Sequence, residues 1–175
     1  KLAVDLDISP KEAKAMLTQF REKVPFMQGM LEAVMHRANK VGSIRTYLGR
    51  RCKFDLWEPN WFEMDPVTKQ PVFHKALPHN EAVVKWGGSI KRAGTYKALN
   101  RLIQGTAADQ TKKAMVDIYE KLGVIPLIQV HDELNCSVKS DIMARDIKDI
   151  MENCIKLEVP TKVTYKIKTN WGDAK

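Results

Sequence analysis

The chain has 175 residues, of which 44% are hydrophobic and 29% charged. That is the composition of one globular domain, and it excludes a disordered tail, a collagen and a membrane-spanning protein. The 29 Lys and Arg against 21 Asp and Glu give a net charge of +8. Residues 1–54 carry 11 basic and 5 acidic side chains; residues 85–101 carry Lys85, Lys91, Arg92, Lys97 and Arg101 and no acid. The stretch 55–84 is acidic by three and 102–175 balances. Two basic blocks around an acidic stretch fit a polyanion-facing surface, and equally a soluble basic protein. No basic stretch followed by an apolar run stands at the start of the sequence, so a secretory leader is not expected. Cys52, Cys136 and Cys154 form no C-x-x-C pair, which argues against a zinc knuckle or disulfide framework and for a reduced, cytoplasmic compartment. The first residue is Lys1 rather than methionine, so a processed piece or part of a longer chain is expected.

Ser9-Pro10-Lys11-Glu12 combines an N-cap serine, a proline at the first helical position and a glutamate at the third. Ala13, Leu17, Phe20 and Val24 follow at helical spacing, which predicts an amphipathic helix over 10–24. Pro25 starts a second helix with Met27, Met30, Leu31, Val34 and Ala38 on one stripe, and Gly42 stops it. Ser43–Leu48 alternates polar and apolar residues and predicts a short strand, broken by a turn at Gly49-Arg50-Arg51. Residues 55–84 are rich in proline and hold Trp57 and Trp61, which predicts a long irregular loop or insert. A long helical pattern then runs from about Ile90 to Leu122, with Leu99, Ile103, Ala107, Ala114 and Ile118 on one side. Residues 125–138 predict a β-hairpin with His131-Asp132-Glu133 at its bend. Ser140 caps a further helix, and Val159, Val163, Tyr165 and Ile167 predict a last strand. The fold class is α+β, with helices followed by an antiparallel hairpin or sheet packed with long helices.

Three groups of residues could carry chemistry. Adjacent carboxylates at Asp132 and Glu133 repel each other, and a hard cation such as Mg²⁺ takes one or two carboxylates with water and phosphate oxygens. The same residues could equally be an exposed polar tip. Asn100 and Gln104 lie four apart, so their amides share one helix face, and amides can address minor-groove acceptors without choosing a base. Ordinary surface polarity explains them as well. Arg50-Arg51 suits phosphate contacts, or a solvated turn. His36, His74 and His79 have no partner at ligand spacing, and no Ser or Cys sits beside a base.

Several of these segments together resemble a known family. Gln104-Gly105-Thr106-Ala107-Ala108-Asp109, followed about twenty residues later by Gln129-Val130-His131-Asp132-Glu133, is similar to the C-terminal part of family A DNA polymerases, the bacterial DNA polymerase I type. Thr46-Tyr47-Leu48-Gly49-Arg50-Arg51 resembles the family's T-x-x-G-R-R segment, and Asn170-Trp171-Gly172-Asp173-Ala174-Lys175 its usual close. Phe54-Asp55-Leu56-Trp57-Glu58-Pro59 looks more like phage-type members.

The resemblance implies a nucleotidyltransferase in DNA replication, adding nucleotides to a primer 3′ end by a two-metal mechanism. Asp132 would hold catalytic Mg²⁺, Glu133 would support it and His131 would lie against the primer end. Asn100 and Gln104 would touch the minor groove, Arg50 or Arg51 the template, and Gln129 would join the DNA-binding set. Residues 1–54 would be fingers-like, 55–90 an irregular insert and 91–175 palm-like. Tyr96 stands about where relatives often carry a basic residue. The family's other metal-binding aspartate and its nucleotide-gripping helix fall in a missing N-terminal segment or subunit, so the 175 residues alone are expected to be inactive. Expected partners are primer-template DNA, deoxynucleoside triphosphates and that segment, in the cytoplasm (the host's, if phage-encoded) and with no membrane. Two other readings stay open: a non-catalytic DNA-binding accessory subunit, and a metal-dependent phosphohydrolase built on His131-Asp132.

Overall fold

Local sequence signals set the first helices. In the computed structural model, which describes residues 2–174, a single turn of helix (α1, Leu2–Asp5) leads to Ser9. Lys1 and Lys175, the last residue of the closing motif, lie outside the described residues. Ser9 Oγ accepts the Glu12 N–H at 3.2 Å, and the Glu12 carboxylate takes the Ser9 N–H at 2.9 Å. This capping box satisfies two donors that a helix start leaves unpaired, and α2 runs over Pro10–Lys23. Pro25 begins α3 (Pro25–Val41), and Gly42 ends it at φ 71°, the left-handed conformation that glycine adopts without a steric penalty.

The chain divides into two compact units: residues up to Arg45 with Arg50–Leu102, and Thr46–Gly49 with the residues from Ile103 onward. In the first unit, β1 (Ser43–Arg45) pairs antiparallel with β2 (Arg51–Lys53), setting Ile44 against Cys52 and Arg45 against Arg51. Buried Ala38, Ile44, Phe54 and Ala98 form its core, with Val34, Cys52 and Leu102 packed around them.

Residues 55–90 depart from the expected irregular stretch. Strand β3 (Leu56–Pro59) is the centre of a three-stranded antiparallel sheet, flanked by β4 (Leu77–Pro78) and β5 (Ile90–Arg92), and helix α4 (His79–Trp86) follows β4. Strands of two to four residues are too short for a periodic signal, so only 60–76 keep the irregular character. The long helix likewise begins later than its pattern suggests. Ile90–Arg92 is taken up by pairing with β3, Gly94 turns the chain at φ 69°, and a 3₁₀ turn at Thr95–Lys97 leads into α5 (Ala98–Leu122).

In the second unit, β6 (Pro126–Val130) and β7 (Glu133–Cys136) form the expected hairpin, and Ser140 Oγ accepts the Met143 N–H to cap α6 (Asp141–Asn153). The alternating segment Val159–Ile167 forms no strand among the described residues. Side chains hold it instead: Glu152 accepts the Val163 N–H at 2.8 Å, Gln110 donates to Thr161 at 3.1 Å, and the Tyr165 hydroxyl donates to Asp141 at 3.1 Å. Alternation makes a chain ready to be a strand, but a ladder requires a neighbour. A 3₁₀ turn at Trp171–Ala174 follows. Among the described residues no helix is long and apolar enough to cross a membrane. The architecture is α+β, as expected.

Candidate active site

The hairpin of the second unit turns on two residues. Val130 pairs with Glu133, which leaves His131 and Asp132 as the loop. His131 has φ 56°, and a side chain in this left-handed region costs roughly 1–2 kcal/mol, so the tip is strained where glycine would not be. The Gln129 side-chain amide donates to the His131 carbonyl at 3.1 Å and holds the turn. His131, Asp132 and Glu133 are all exposed. Glu133 belongs to β7 rather than to the bend itself.

Beside this tip lies a cleft of about 820 Å³ within the second unit. Asp132, Glu133 and Asn135 line one part of it, Thr161–Lys166 another, and small residues of α5 and α6, Ala107, Ala114 and Ala144, also contribute. Asn135 Nδ2 is buried there without a hydrogen-bond partner among the described residues. Among the described residues no three His, Cys, Asp or Glu side chains converge as a metal cage. The donors at the tip are the carboxylates of Asp132 and Glu133, both of which line the cleft. That suits Mg²⁺, which keeps water and phosphate oxygens in its shell, better than a fully protein-ligated ion.

The turn Thr46–Gly49, closed by the Gly49 N–H on the Thr46 carbonyl at 2.9 Å, is anchored on α5. Thr46 Oγ1 donates to Asp109 Oδ2 at 2.6 Å, both residues being buried, and the Tyr47 N–H donates to Thr106 Oγ1 at 3.2 Å. The Tyr47 hydroxyl donates to the Lys156 carbonyl at 2.8 Å. The T-x-x-G-R-R and Q-G-T-A-A-D segments are thus physically interlocked. Sequence reasoning missed the roles of Thr46, Thr106 and Asp109; a carboxylate among the alanines of a helix was the available signal.

In the first unit Arg45 and Arg51 stand directly opposite each other across β1 and β2, and Arg50 precedes them at the hairpin end. Asn100 and Gln104 are exposed on α5, one turn apart. The basic block at 85–101 is partly structural. Arg92 donates to the carbonyls of Asn39 at 3.1 Å and Phe54 at 2.9 Å and lies 4.7 Å over the Trp57 ring. Arg101 donates to the Lys53 carbonyl and lies 4.8 Å over Phe54. Lys91 is 3.8 Å from Glu58. The cysteines are free, and burial pushes the Cys136 and Cys154 thiols up, which suits packing rather than nucleophilic work.

The family model of DNA polymerase family A matches residues 1–173, and the chain belongs to that family. The DNA-directed DNA polymerase of Pseudomonas phage M6 is 38% identical over 161 residues, which cover 92% of this chain and 20% of the phage protein. The thermostable DNA polymerase I of Thermus aquaticus is 30% identical over 181 residues, covering 100% of this chain and 19% of that protein. Among solved structures, the POL domain of Pol1 from M. smegmatis, in complex with DNA primer-template and dNTP, is similar with a TM-score of 0.63 and 28% identity, over 91% of this chain and 25% of that one. The chain spans about a fifth of the length of the relatives it matches.

Proposed function

We propose that the chain is the C-terminal fingers–palm part of a DNA-directed DNA polymerase, working on primer-template DNA and deoxynucleoside triphosphates. The observation that carries this reading is the strained two-residue turn that presents Asp132 beside Glu133 at the mouth of an open cleft. In the assembled enzyme the primer 3′-oxygen attacks the α-phosphorus of the nucleotide and pyrophosphate leaves. Asp132, with Glu133 in support, would hold Mg²⁺, which when bound would supply charge stabilisation for this transfer.

This chain's residues have narrower tasks. Asp132 supplies a carboxylate to the metal, with Glu133 in support, and His131 packs against the primer end. Gln104 and Asn100 use amides that donate and accept, the chemistry that suits the N3 and O2 acceptors of the minor groove. Arg50 or Arg51 contacts the template strand, where a guanidinium suits backbone phosphates. Gln129 holds the His131 carbonyl and so fixes the tip.

The cleft also supports a partner segment. One wall is β7, which among the described residues pairs only with β6, and the other is the extended but unladdered stretch 161–166. An extended strand entering between them would complete a sheet beside Asp132, and it is where a second metal-binding carboxylate would be supplied. The 175 residues alone are then inactive.

Primer extension with Mg²⁺, by the chain alone and by a preparation carrying the upstream polymerase segment, tests this. Extension only with that segment, abolished by Asp132→Asn, is the expected result. Extension by the 175 residues alone would remove the need for a second carboxylate. A chain that binds DNA and supports extension regardless of Asp132→Asn would instead be a non-catalytic accessory subunit.

A further inference from the structure

The middle of the 55–90 segment is a small hairpin with two unlike faces. The Asp65 N–H donates to the Gln70 carbonyl and the Val72 N–H to the Glu63 carbonyl, both at 2.9 Å, and Met64 bridges Pro71. This register sets Phe62 opposite Phe73, and strand alternation places both with Met64 and Pro71. The other face is partly covered. There Trp61 lies 5.3 Å from His74, whose ring is 5.8 Å from Trp86 of α4 and whose Nε2 is 2.9 Å from Glu63. On the Phe62 face the rings are more open: Phe62 is 73% exposed and Phe73 88%, against 45% for Trp61. Two opposed aromatic rings left in water mark a contact surface.

The charges around the hairpin indicate the partner. The Asp65 carboxylate is engaged internally. Glu63 faces His74, and Asp65 Oδ1 accepts the N–H groups of Thr68 at 2.7 Å and Val67 at 2.8 Å, which hold its carboxyl below the usual range. Lys69 at the tip and Lys75, two residues past Phe73, make no ion pair among the described residues. Within the hairpin itself the two acidic side chains, Glu63 and Asp65, are matched in number by Lys69 and Lys75. Exposed rings between free lysines are what a nucleic-acid strand with unstacked bases uses: bases lie on the rings and phosphates against the lysines, without regard to sequence. A duplex keeps its bases stacked and cannot use the rings.

We propose that the Phe62–Phe73 face is a platform for single-stranded DNA, the unpaired part of the template. The proposal goes beyond the polymerase reading and rests on it only in that a template-copying enzyme has an unpaired strand to hold.

The test is fluorescence anisotropy of a labelled oligothymidylate titrated with the 175-residue chain at several salt concentrations, with a blunt duplex as control. The double variant Phe62→Ala, Phe73→Ala is expected to weaken oligothymidylate binding at least about tenfold and to leave duplex binding unchanged. The double variant Lys69→Ala, Lys75→Ala is expected to flatten the salt dependence by about 1.4 in log–log slope, two phosphate contacts' worth for a single strand. Circular dichroism verifies that both variants fold. A wild-type chain that does not bind the oligonucleotide, or a folded aromatic variant with wild-type affinity, overturns the proposal. So does an aromatic variant that changes only the oligomeric state in sedimentation, which reassigns the face to protein contact. Primer extension is read separately: a failure of the polymerase reading leaves ring-dependent oligonucleotide binding intact.

Discussion

Thr46 Oγ1 and Asp109 Oδ2 lie 2.6 Å apart although 63 residues separate them in the chain. Both residues are buried, and a hydrogen bond to a charged acceptor away from water contributes about 1.5–3 kcal/mol. Thr46→Val keeps the shape and removes the donor, so it should lower unfolding stability by about 2 kcal/mol in urea titration. Thr46→Ser should recover most of that loss. Equal stability of Thr46→Val and the parent chain would mean that the bond is not formed in solution.

Asp132→Asn separates chemistry from folding. The side chain is exposed at a turn, so the substitution should leave the urea midpoint within about 0.5 kcal/mol of the parent. In the assembled polymerase it should reduce primer extension by at least about 100-fold, the scale of losing one charge stabiliser at the reacting centre. A large loss of stability with normal extension by the surviving protein would assign Asp132 to the fold.

Gly42 is constrained twice. Its φ of 71° disfavours any side chain, and a Cβ there would meet the Arg92 guanidinium at 2.7 Å. Displacing that head group would disturb its bonds to Asn39 and Phe54. Gly42→Ala should therefore cost more than the roughly 1–2 kcal/mol of the left-handed backbone alone. Arg92→Ala in the same background should make the Gly42→Ala increment smaller, and a double-mutant cycle measures the coupling.

Acid should loosen the segment 161–168 before the helices. The Val163 N–H, and after it Lys148, hold the Glu152 carboxyl below its usual range. A carboxyl depressed in the folded state contributes stability above its unfolded value of about 4.3 and loses it as the pH falls through the folded one. Amide exchange at Val163, corrected for intrinsic rate, should accelerate below about pH 4.3, and Glu152→Gln should remove most of that pH dependence. Exchange that stays slow there would place the Val163 amide in another bond.

If the exposed Gln104 amide on α5 reads shared minor-groove acceptors as proposed, Gln104→Ala should weaken extension from matched primer ends more than from mismatched ones, where the displaced acceptors already forfeit that bond. Single-turnover extension on paired templates measures it. Equal rates with the parent enzyme on both templates would count against the minor-groove role.

Punctuation was what the sequence made legible. Ser9, Pro10 and Glu12 mark one helix start, Pro25 and Gly42 bound the next, and the alternation around His131-Asp132 defines a hairpin whose turn is those two residues. Short strands carry no such marks, so β3, β4 and β5 were hidden among prolines and tryptophans. Val159–Ile167 shows the opposite failure: its alternation is present but its ladder is not, because pairing depends on a neighbour that periodicity does not describe. The carboxylate tip could be located from the sequence. The contact of Thr46 with Asp109 could not, since no local pattern relates residues so far apart.

The side-chain fastening of residues 161–168 bears on how the chain behaves at high concentration. Backbone groups outside a ladder are a template for any other extended chain, and an open β7 edge lies along the same cleft. Lys162, Lys166 and Lys168 recur along that segment. Repeated lysines at an open edge are the usual guard against edge-to-edge association. Replacing them with apolar residues would make the purified chain aggregate through this edge, whereas the same positions would tolerate arginine.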